Sequence, residues 1–493
     1  MTSRVIAALH AAPGNLPAVN DERCQLSYGE LAAAVDAEAD WLARRGASRC
    51  AVLADNGAGW IVADLSLMQA GGLNVPIPTW FTGSQIDHVL QDAGVELLLT
   101  DQPERIASDH AGCRRIGDSP SSGLAVFQRE QTTHPPRVPD GTAKVTYTSG
   151  STGSPKGVCL SVHAMESVAY SLASAIEVAA ERHLCAMPLA TLLENIAGVY
   201  APLLLSAGSI VPAARSLGIG YGTLDPAAFV TAITRTAPHS LIVPPELLRV
   251  LVVTARRGWR PPASLRFIAV GGASVAQSVL DEAAALGLPA YQGYGLSECA
   301  SVVTLNTPGA SRAGSVGRLL SHAKARIDDL GQIVVRGAVM SGYLGHDGSA
   351  PDEIATGDLG SIDADGYVYV HGRLKNMFIT SMGRNICPEW VEAELTCDPC
   401  IGQAIVCGEA RPWPIALLYP ASAQVTTQQI GRAVAAANER LPAYAQARRW
   451  ALLPEPLTFA NGLLTANGRP RRDVLAARQA SLIEALYRTA LAS

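Results

Sequence analysis

Between Leu26 and Arg45, apolar side chains recur at Leu31, Ala34, Val35, Ala39 and Leu42. This is the three-and-four spacing of one helical face, and Ser27 stands where such a helix takes its N-cap. Short apolar runs over residues 50–53, 73–77 and 95–100 predict strands, and the stretches 60–70 and 85–93 between them predict helices. Residues 101–140 mix polar, Pro and Gly residues and predict a variable connection. Two short runs rich in β-branched residues, 143–147 and 157–162, then flank a segment of Ser, Thr and Gly.

The alternation is clearer beyond that segment. Helices are predicted over 163–180, 193–205, 225–236, 245–255 and 275–286, and strands over 183–187, 209–211, 240–243, 265–270 and 289–293. Repeated strand-helix-strand units imply an α/β chain whose mainly parallel sheets are covered by helices on both faces. From about 314 to 371 the helices give way to short strands separated by Gly and Asp, a small β-rich subdomain. After residue 374 the order becomes helix 388–396, strands 401–407 and 415–419, and helix 426–440. A boundary is therefore expected there, dividing residues 1–374 from a smaller α+β domain of residues 375–493. Ligands of open α/β sheets lie beyond the carboxyl ends of the strands. Two glycine turns fall at such ends, Gly271-Gly272-Ala273 and Gly293-Tyr294-Gly295.

Composition narrows the class. With 493 residues, 48% of them hydrophobic and 16% charged, the chain is globular and long enough for two or three domains. A net charge of -5 and a pI near 6.1 give no global reason to bind nucleic acid, so the basic run Arg469 to Arg472 needs a local explanation. Residues 1–16 lack an apolar core with a cleavage site, and no segment has the length of a charge-free membrane span. A cytoplasmic protein is expected. The ten cysteines lack the spacing of a disulfide framework. Cys397-Asp398-Pro399-Cys400, without a second pair or a nearby His pair, reads as ordinary thiols.

Candidate chemistry centres on Tyr147-Thr148-Ser149-Gly150-Ser151-Thr152-Gly153-Ser154-Pro155-Lys156-Gly157-Val158. The hydroxyls of Thr148, Ser149, Ser151 and Thr152 offer donors to phosphate oxygens. Gly150 and Gly153 let backbone N–H groups approach an anion, and Lys156 adds a point charge. The spacing is not that of a Walker A loop. A second segment, Tyr291-Gln292-Gly293-Tyr294-Gly295-Leu296-Ser297-Glu298, ends a predicted strand with an aromatic ring, a hydroxyl and a carboxylate. That set suits adenine stacking by Tyr294, an α-phosphate contact from Ser297 and Mg2+ ligation by Glu298, since a hard cation prefers oxygen.

The phosphate string resembles the signature loop of the adenylate-forming superfamily, which takes in acyl-CoA synthetases, fatty acyl-AMP ligases, adenylation domains of peptide synthetases and firefly-type luciferases. The segment 291–298 is similar to that family's adenine-binding segment. Thr356-Gly357-Asp358 resembles its ribose-binding motif, with Asp358 on the ribose hydroxyls and Arg373 on ribose and phosphate oxygens. Residues 331–343 are similar to a structural segment of the family and read as plain β structure. Gly372-Arg373-Leu374-Lys375-Asn376 resembles the hinge about which members rotate the small domain between two half-reactions, which implies a mobile C-terminal domain. Lys375 at the pivot and the stretch Met187 to Glu194 lean toward the fatty-acid branch, although Thr191 replaces that branch's His. Residues 461–472 align with the segment that carries the adenylation lysine, and Arg469 stands in its place. A planar guanidinium is not equivalent to a compact ammonium there.

The resemblance implies ATP and Mg2+, the ion held by Thr148 and Glu298, with Gly271, Gly272, Ala273, Gln292, Gly293, Tyr294, Gly295, Ser297, Asp358 and Arg373 around the nucleotide and Lys156, Glu298 and Arg469 in catalysis. The implied reaction activates a fatty or other apolar carboxylic acid as its adenylate and transfers it to CoA. Two alternatives stay open: a ligase loading an acyl carrier protein or an amine, and a non-catalytic binder of nucleotide or acyl-adenylate. The acid, its chain length and the oligomeric state are not encoded in any motif.

Overall fold

The computed structural model describes residues 3–46, 48–110, 112–129, 136–148, 156–176, 181–220, 223–346, 350–465 and 469–488. Two large mixed sheets carry most of the chain. One runs Arg318–Leu319, Ser301–Leu305, Ala290–Leu296, Phe267–Val270, Ser240–Val243, Arg182–Leu184, Gly208–Ile210, Pro17–Asn20 and Gln25–Ser27. The other runs Gly342–Tyr343, Lys156–Ser161, Thr142–Thr148, Leu73–Pro76, Arg49–Leu53, Leu97–Thr100, Ala125–Arg129 and Cys113–Asp118. Both are parallel in the middle and antiparallel at the edges. Pairs joined by short turns, such as Pro17–Asn20 with Gln25–Ser27 and Cys113–Asp118 with Ala125–Arg129, can run only antiparallel, while the central parallel strands are linked through helices.

The helices Tyr28–Arg45, Ala58–Ala70 and Val162–Ala175 lie between the sheets, where Leu31, Trp60, Leu65 and Val168 share one core with Val52 of one sheet and Cys185 of the other. The outer face of the first sheet is covered by Pro226–Thr236, Pro245–Arg256 and Gln277–Ala285, and that of the second by Gly83–Asp92. Helix Tyr28–Arg45 starts as its sequence requires. The Ser27 hydroxyl accepts from Glu30 N, the Glu30 carboxylate accepts from Ser27 N at 2.8 Å, and Gly46 ends the helix at φ 65°. Such a cap contributes about 1 kcal/mol.

A four-stranded antiparallel sheet, Ala323–Ile327, Gln332–Gly337, Glu353–Ile362 and Val368–Arg373, follows the large ones. The smaller C-terminal domain has the strands Ile401–Cys407, Ile415–Pro420 and Arg449–Leu452, with helices Pro388–Leu395 and Thr427–Arg440 packed on them. All ten cysteines are free thiols, Cys397 and Cys400 among them. Among the described residues no helix is long and apolar enough to cross a membrane.

Two stretches differ from the sequence expectation. Residues 101–140 are not merely a connection: they hold the helix Pro103–Asp109 and the hairpin strands Cys113–Asp118 and Ala125–Arg129, which complete an edge of the second sheet. Only Ala125, Val126 and Phe127 of that hairpin are buried, so most of its positions read as loop. The single helix expected over 193–205 is interrupted by a π turn, Ile196–Tyr200. Pro202 has no N–H to give the Gly198 carbonyl four residues back. The ladder widens instead, with Ala201 N bonding to Ile196 O, and the Gly198 carbonyl accepts from Ser209 Oγ at 2.7 Å.

Beneath that turn lies a buried ionic network. Lys144 Nζ stands 2.7 Å from Asp64 Oδ1 and donates to Tyr200 Oη at 2.9 Å and to Asn195 Oδ1. Asp64 also accepts from Asn74 at 2.6 Å, Asn195 at 2.8 Å and Tyr200 at 2.7 Å. Burial pushes the Lys144 pKa down despite the attraction of Asp64. Every donor of the ammonium is used, which is the condition under which a buried ion pair persists. The network joins the strand Thr142–Thr148, which leads into the phosphate string, to both ends of the π turn.

Candidate active site

A cavity of about 720 Å³ opens at the carboxyl ends of the first sheet's parallel strands. Gly271 and Gly272 follow the strand Phe267–Val270, and Gly293, Tyr294 and Gly295 end the neighbouring one; all five line the cavity. Gly295 is needed for close approach, because a Cβ there would sit 1.7 Å from Ser301 O. Next comes the 3-10 turn Ser297–Cys299, which places Ser297 and Glu298 at the cavity wall. Ala300 and Ser301 leave it with φ of 51° and 100°. Two non-glycine residues in that region cost about 1–3 kcal/mol each, strain of the kind held at functional sites.

Glu298 is fixed from two sides. Its carbonyl accepts from Met340 N at 2.8 Å, and its carboxylate accepts from Tyr343 Oη at 3.1 Å. Tyr343, in the stretch read from sequence as plain β structure, thus belongs to the site: its strand pairs with Lys156–Ser161, and Lys156 Nζ lies 5.7 Å from its ring centroid. Burial beside Glu298 pushes its phenol up to about 12. Thr148 pairs with Lys156 across the hairpin, and both face the cavity. Ser149, Gly150, Ser151, Thr152 and Gly153, the centre of the phosphate string, lie outside the described residues.

Asp358 sits just behind the wall. It accepts from Tyr294 Oη at 2.7 Å and pairs with Arg373 Nε at 2.7 Å. Burial raises its carboxyl above the ordinary value, against the opposing pull of Arg373 and Tyr294. Arg373 is braced on Thr356 O at 3.2 Å and lines the cavity with Lys375. Arg469 arrives from the C-terminal segment, where Thr465 N donates to its carbonyl at 2.8 Å and its own N–H donates to Thr465 Oγ1 at 3.1 Å. Enclosure by the cavity walls and the charge of Arg373 lower its pKa, while Asp358, Glu298 and Glu389 pull it upward. Four cations and two carboxylates therefore converge here: Lys156, Arg373, Lys375, Arg469, Glu298 and Asp358.

Two residues expected around the nucleotide are not brought in. Gln292 borders a separate pocket together with Tyr291 and Asn306, and its carbonyl accepts from Asn306 N at 3.0 Å. Ala273 lies past the glycine turn, and neither it nor Gln292 lines the cavity. Sequence reasoning also missed the cavity's second half, an apolar branch bounded by Leu172, Ile176, Ala197, Ala201, Pro202 and Leu205. These residues come from helix Val162–Ala175, the interrupted helix 192–204 and the C-caps of both, Ile176 and Leu205, and no local motif marks them.

The chain was compared with known proteins. The AMP-binding enzyme family matches residues 7–344, and the AMP-binding enzyme C-terminal domain matches residues 375–491. A long-chain-fatty-acid–CoA ligase of Mycobacterium bovis is 27% identical over 87% of this chain and 86% of its own length. A feruloyl-CoA synthase of Amycolatopsis is 29% identical over 78% and 81%. Among solved structures, anthranilate CoA ligase AuaEII in complex with anthranoyl-AMP superposes with a TM-score of 0.78 at 18% identity, covering 96% of each chain, a likeness of fold. With both of its parts matched in order, the chain belongs to the AMP-binding enzyme family and is an acid–thiol ligase of the AMP-forming type.

Proposed function

We propose that the enzyme activates a carboxylic acid with an apolar body, through its acyl-adenylate, for transfer to CoA. One observation carries this reading: a single cavity joins the cationic wall of Lys156, Arg373 and Arg469 to an apolar branch that no polyphosphate would occupy. The acid's carboxylate attacks the α-phosphorus of ATP at the junction, and pyrophosphate leaves. Negative charge gathers on the α-phosphate oxygens in that transition state, and fixed cations already in place stabilise it without reorganising. Asp358 and Arg373 hold the ribose end. Glu298 and Thr148 would supply oxygen ligands for Mg2+, which would neutralise phosphate charge when bound. The thiol of CoA then displaces AMP from the mixed anhydride.

The second step is assigned to a rotated arrangement of residues 375–493 about Lys375, since in the present one Arg469 occupies the adenylation side. Residues 1–374 form the larger domain in this division. A panel of carboxylic acids in a pyrophosphate-release assay, with and without CoA, tests the reading. Acid-dependent release with a CoA thioester as product is expected. Adenylate formed without any thioester would redirect the acceptor to a carrier protein or an amine, and no release with any acid would leave only a nucleotide binder.

A further inference from the structure

The apolar branch does not end in an apolar wall. His183 and Ser240 are both buried and both line it. Ser240 begins its strand and His183 is the middle residue of the three-residue strand beside it; together with Phe267 and Cys185 they face the inner, helix-filled side of the sheet, and the alternating Leu184 and Leu241 face the outer core. Their hydrogen bonds form a relay. Glu194, fully buried, accepts from Met187 N at 3.0 Å and from His183 Nε2 at 2.9 Å. His183 Nδ1 then lies 3.0 Å from Ser240 Oγ.

The relay has a direction. For a neutral imidazole that gives Nε2–H to the Glu194 carboxylate, Nδ1 carries the lone pair and the Ser240 hydroxyl donates to it. The Ser240 oxygen keeps its own lone pairs, and among the described residues no donor reaches them. Cys185 completes a group with His183 and Glu194 whose ligand atoms lie within 4.8 Å of one another, the spacing of a metal site. Three facts weigh against that use: His183 and Glu194 already satisfy each other, Glu194 holds a backbone N–H, and burial pushes the Cys185 thiol well up, away from the thiolate a metal needs. The fold also makes room for the relay. A Cβ on Gly198, in the π turn, would fall 2.4 Å from Glu194 Oε1 and 3.0 Å from His183 Nε2.

Building on the proposed acid activation, we infer that the acid carries a hydrogen-bond donor at the end remote from its carboxyl group, a hydroxyl or an N–H, and that Ser240 accepts it. Ser240 stands three residues before Val243, whose carbonyl accepts from Gly271 N at 3.3 Å beside the nucleotide end. Three strand residues span about 10 Å. The substrate class is therefore an acid whose carboxyl and distal donor are about that far apart across an apolar body, such as a para-hydroxylated arylpropenoic acid or an ω-hydroxy acid of medium length. Ser240 is a specificity residue that touches substrate; His183 and Glu194 are positioning residues that act through it.

The test uses the full-length enzyme and pyrophosphate release with matched acids: 4-hydroxycinnamic against 4-methylcinnamic acid, and 8-hydroxyoctanoic against nonanoic acid. The hydroxylated member of each pair is expected to have a kcat/KM at least about tenfold higher, because a site built to pair a hydroxyl leaves its own buried group unpaired with the methyl analogue. Ser240→Ala should bring that ratio to about one, and Ser240→Thr, which keeps the hydroxyl, should retain it. Equal or inverted preference in the wild type overturns the inference, as does a preference that survives in Ser240→Ala. Pyrophosphate release with no acid at all defeats the underlying acid-activation reading, and the inference with it, an outcome distinct from release without discrimination.

Discussion

Arg469 supplies the cation that the C-terminal segment brings to the cavity, and the geometry makes its contribution separable from binding. Its guanidinium feels the charges of Glu298 and Asp358, and in the proposed reaction phosphate charge develops between them. Arg469→Ala should lower acid-dependent pyrophosphate release by about 100-fold or more, the usual loss for one preorganised electrostatic group, with the KM for ATP changed far less. Arg469→Lys should recover part of the rate; full activity in the alanine variant would remove Arg469 from catalysis. Asp358 has a pH signature. In the proposed nucleotide-binding role its carboxylate works only when ionised, and burial raises its pKa above that of an ordinary carboxylate. Nucleotide affinity is therefore complete above the raised value and is lost as pH falls through it, at a higher pH than exposed carboxylates would give. Steady-state KM for ATP as a function of pH reads this, and Asp358→Asn should be weak and flat over the same range. These residues were legible in the sequence because their chemistry survives any small error of register: a carboxylate, an arginine and a glycine turn at a strand end announce themselves. Gln292 falls just before the stretch of its strand that borders the cavity, a limit that no local pattern marks. Tyr343, His183 and Ser240 were invisible because only tertiary pairing turns an ordinary strand residue toward the cavity.

Helices and strands were legible where a local device sets them. Ser27 and Glu30 form their capping box within four residues, and Thr426 does the same for helix Thr427–Arg440. The π turn was not legible, since it depends on Pro202 meeting a carbonyl that Ser209, from another strand, is placed to satisfy. Neither was the Lys144–Asp64 pair, because a lysine within a strand normally reads as a solvent-facing position. That pair holds two elements of the site, the strand entering the phosphate string and the helix carrying the apolar branch. Removing one partner leaves the other charge buried and uncompensated. Lys144→Met should therefore destabilise the protein by about 3–5 kcal/mol, whereas Lys144→Met combined with Asp64→Leu should be less damaging than the single change. Urea midpoints of the two variants decide it. A single variant as stable as the wild type would show that the pair is dispensable to the fold.

At the scale of the whole molecule, the question is whether residues 375–493 leave the arrangement seen here during turnover. Several features favour movement. The C-terminal domain has its own core, and it meets the helix Pro245–Arg256 through a small mixed contact: the bond from Arg249 to Thr396 O at 3.1 Å, beside the half-buried Ala393 and Cys397. Contacts of this kind resemble transient interfaces. Met382 and Ile379, 74% and 48% exposed, are apolar side chains left in solvent shortly after Lys375, the proposed pivot. The structure also offers a way to stop the motion. Ser278, on the helix Gln277–Ala285, has its Oγ 3.3 Å from Cys397 Sγ of the C-terminal domain, so Ser278→Cys places two sulfurs within reach of a bond once the side chains adjust. Oxidised Ser278→Cys should keep acid-dependent pyrophosphate release for its first turnover, because Arg469 is already at the cavity. It should lose CoA thioester formation, and a reductant should restore it, while wild type treated alike stays unaffected. Single-turnover assays separate the two half-reactions, and mass spectrometry of the disulfide-linked peptide pair, one carrying the substituted position and the other Cys397, verifies the cross-link. If the oxidised variant makes thioester at the wild-type rate, both half-reactions proceed in one arrangement, and the lid rotation proposed for the second step is wrong.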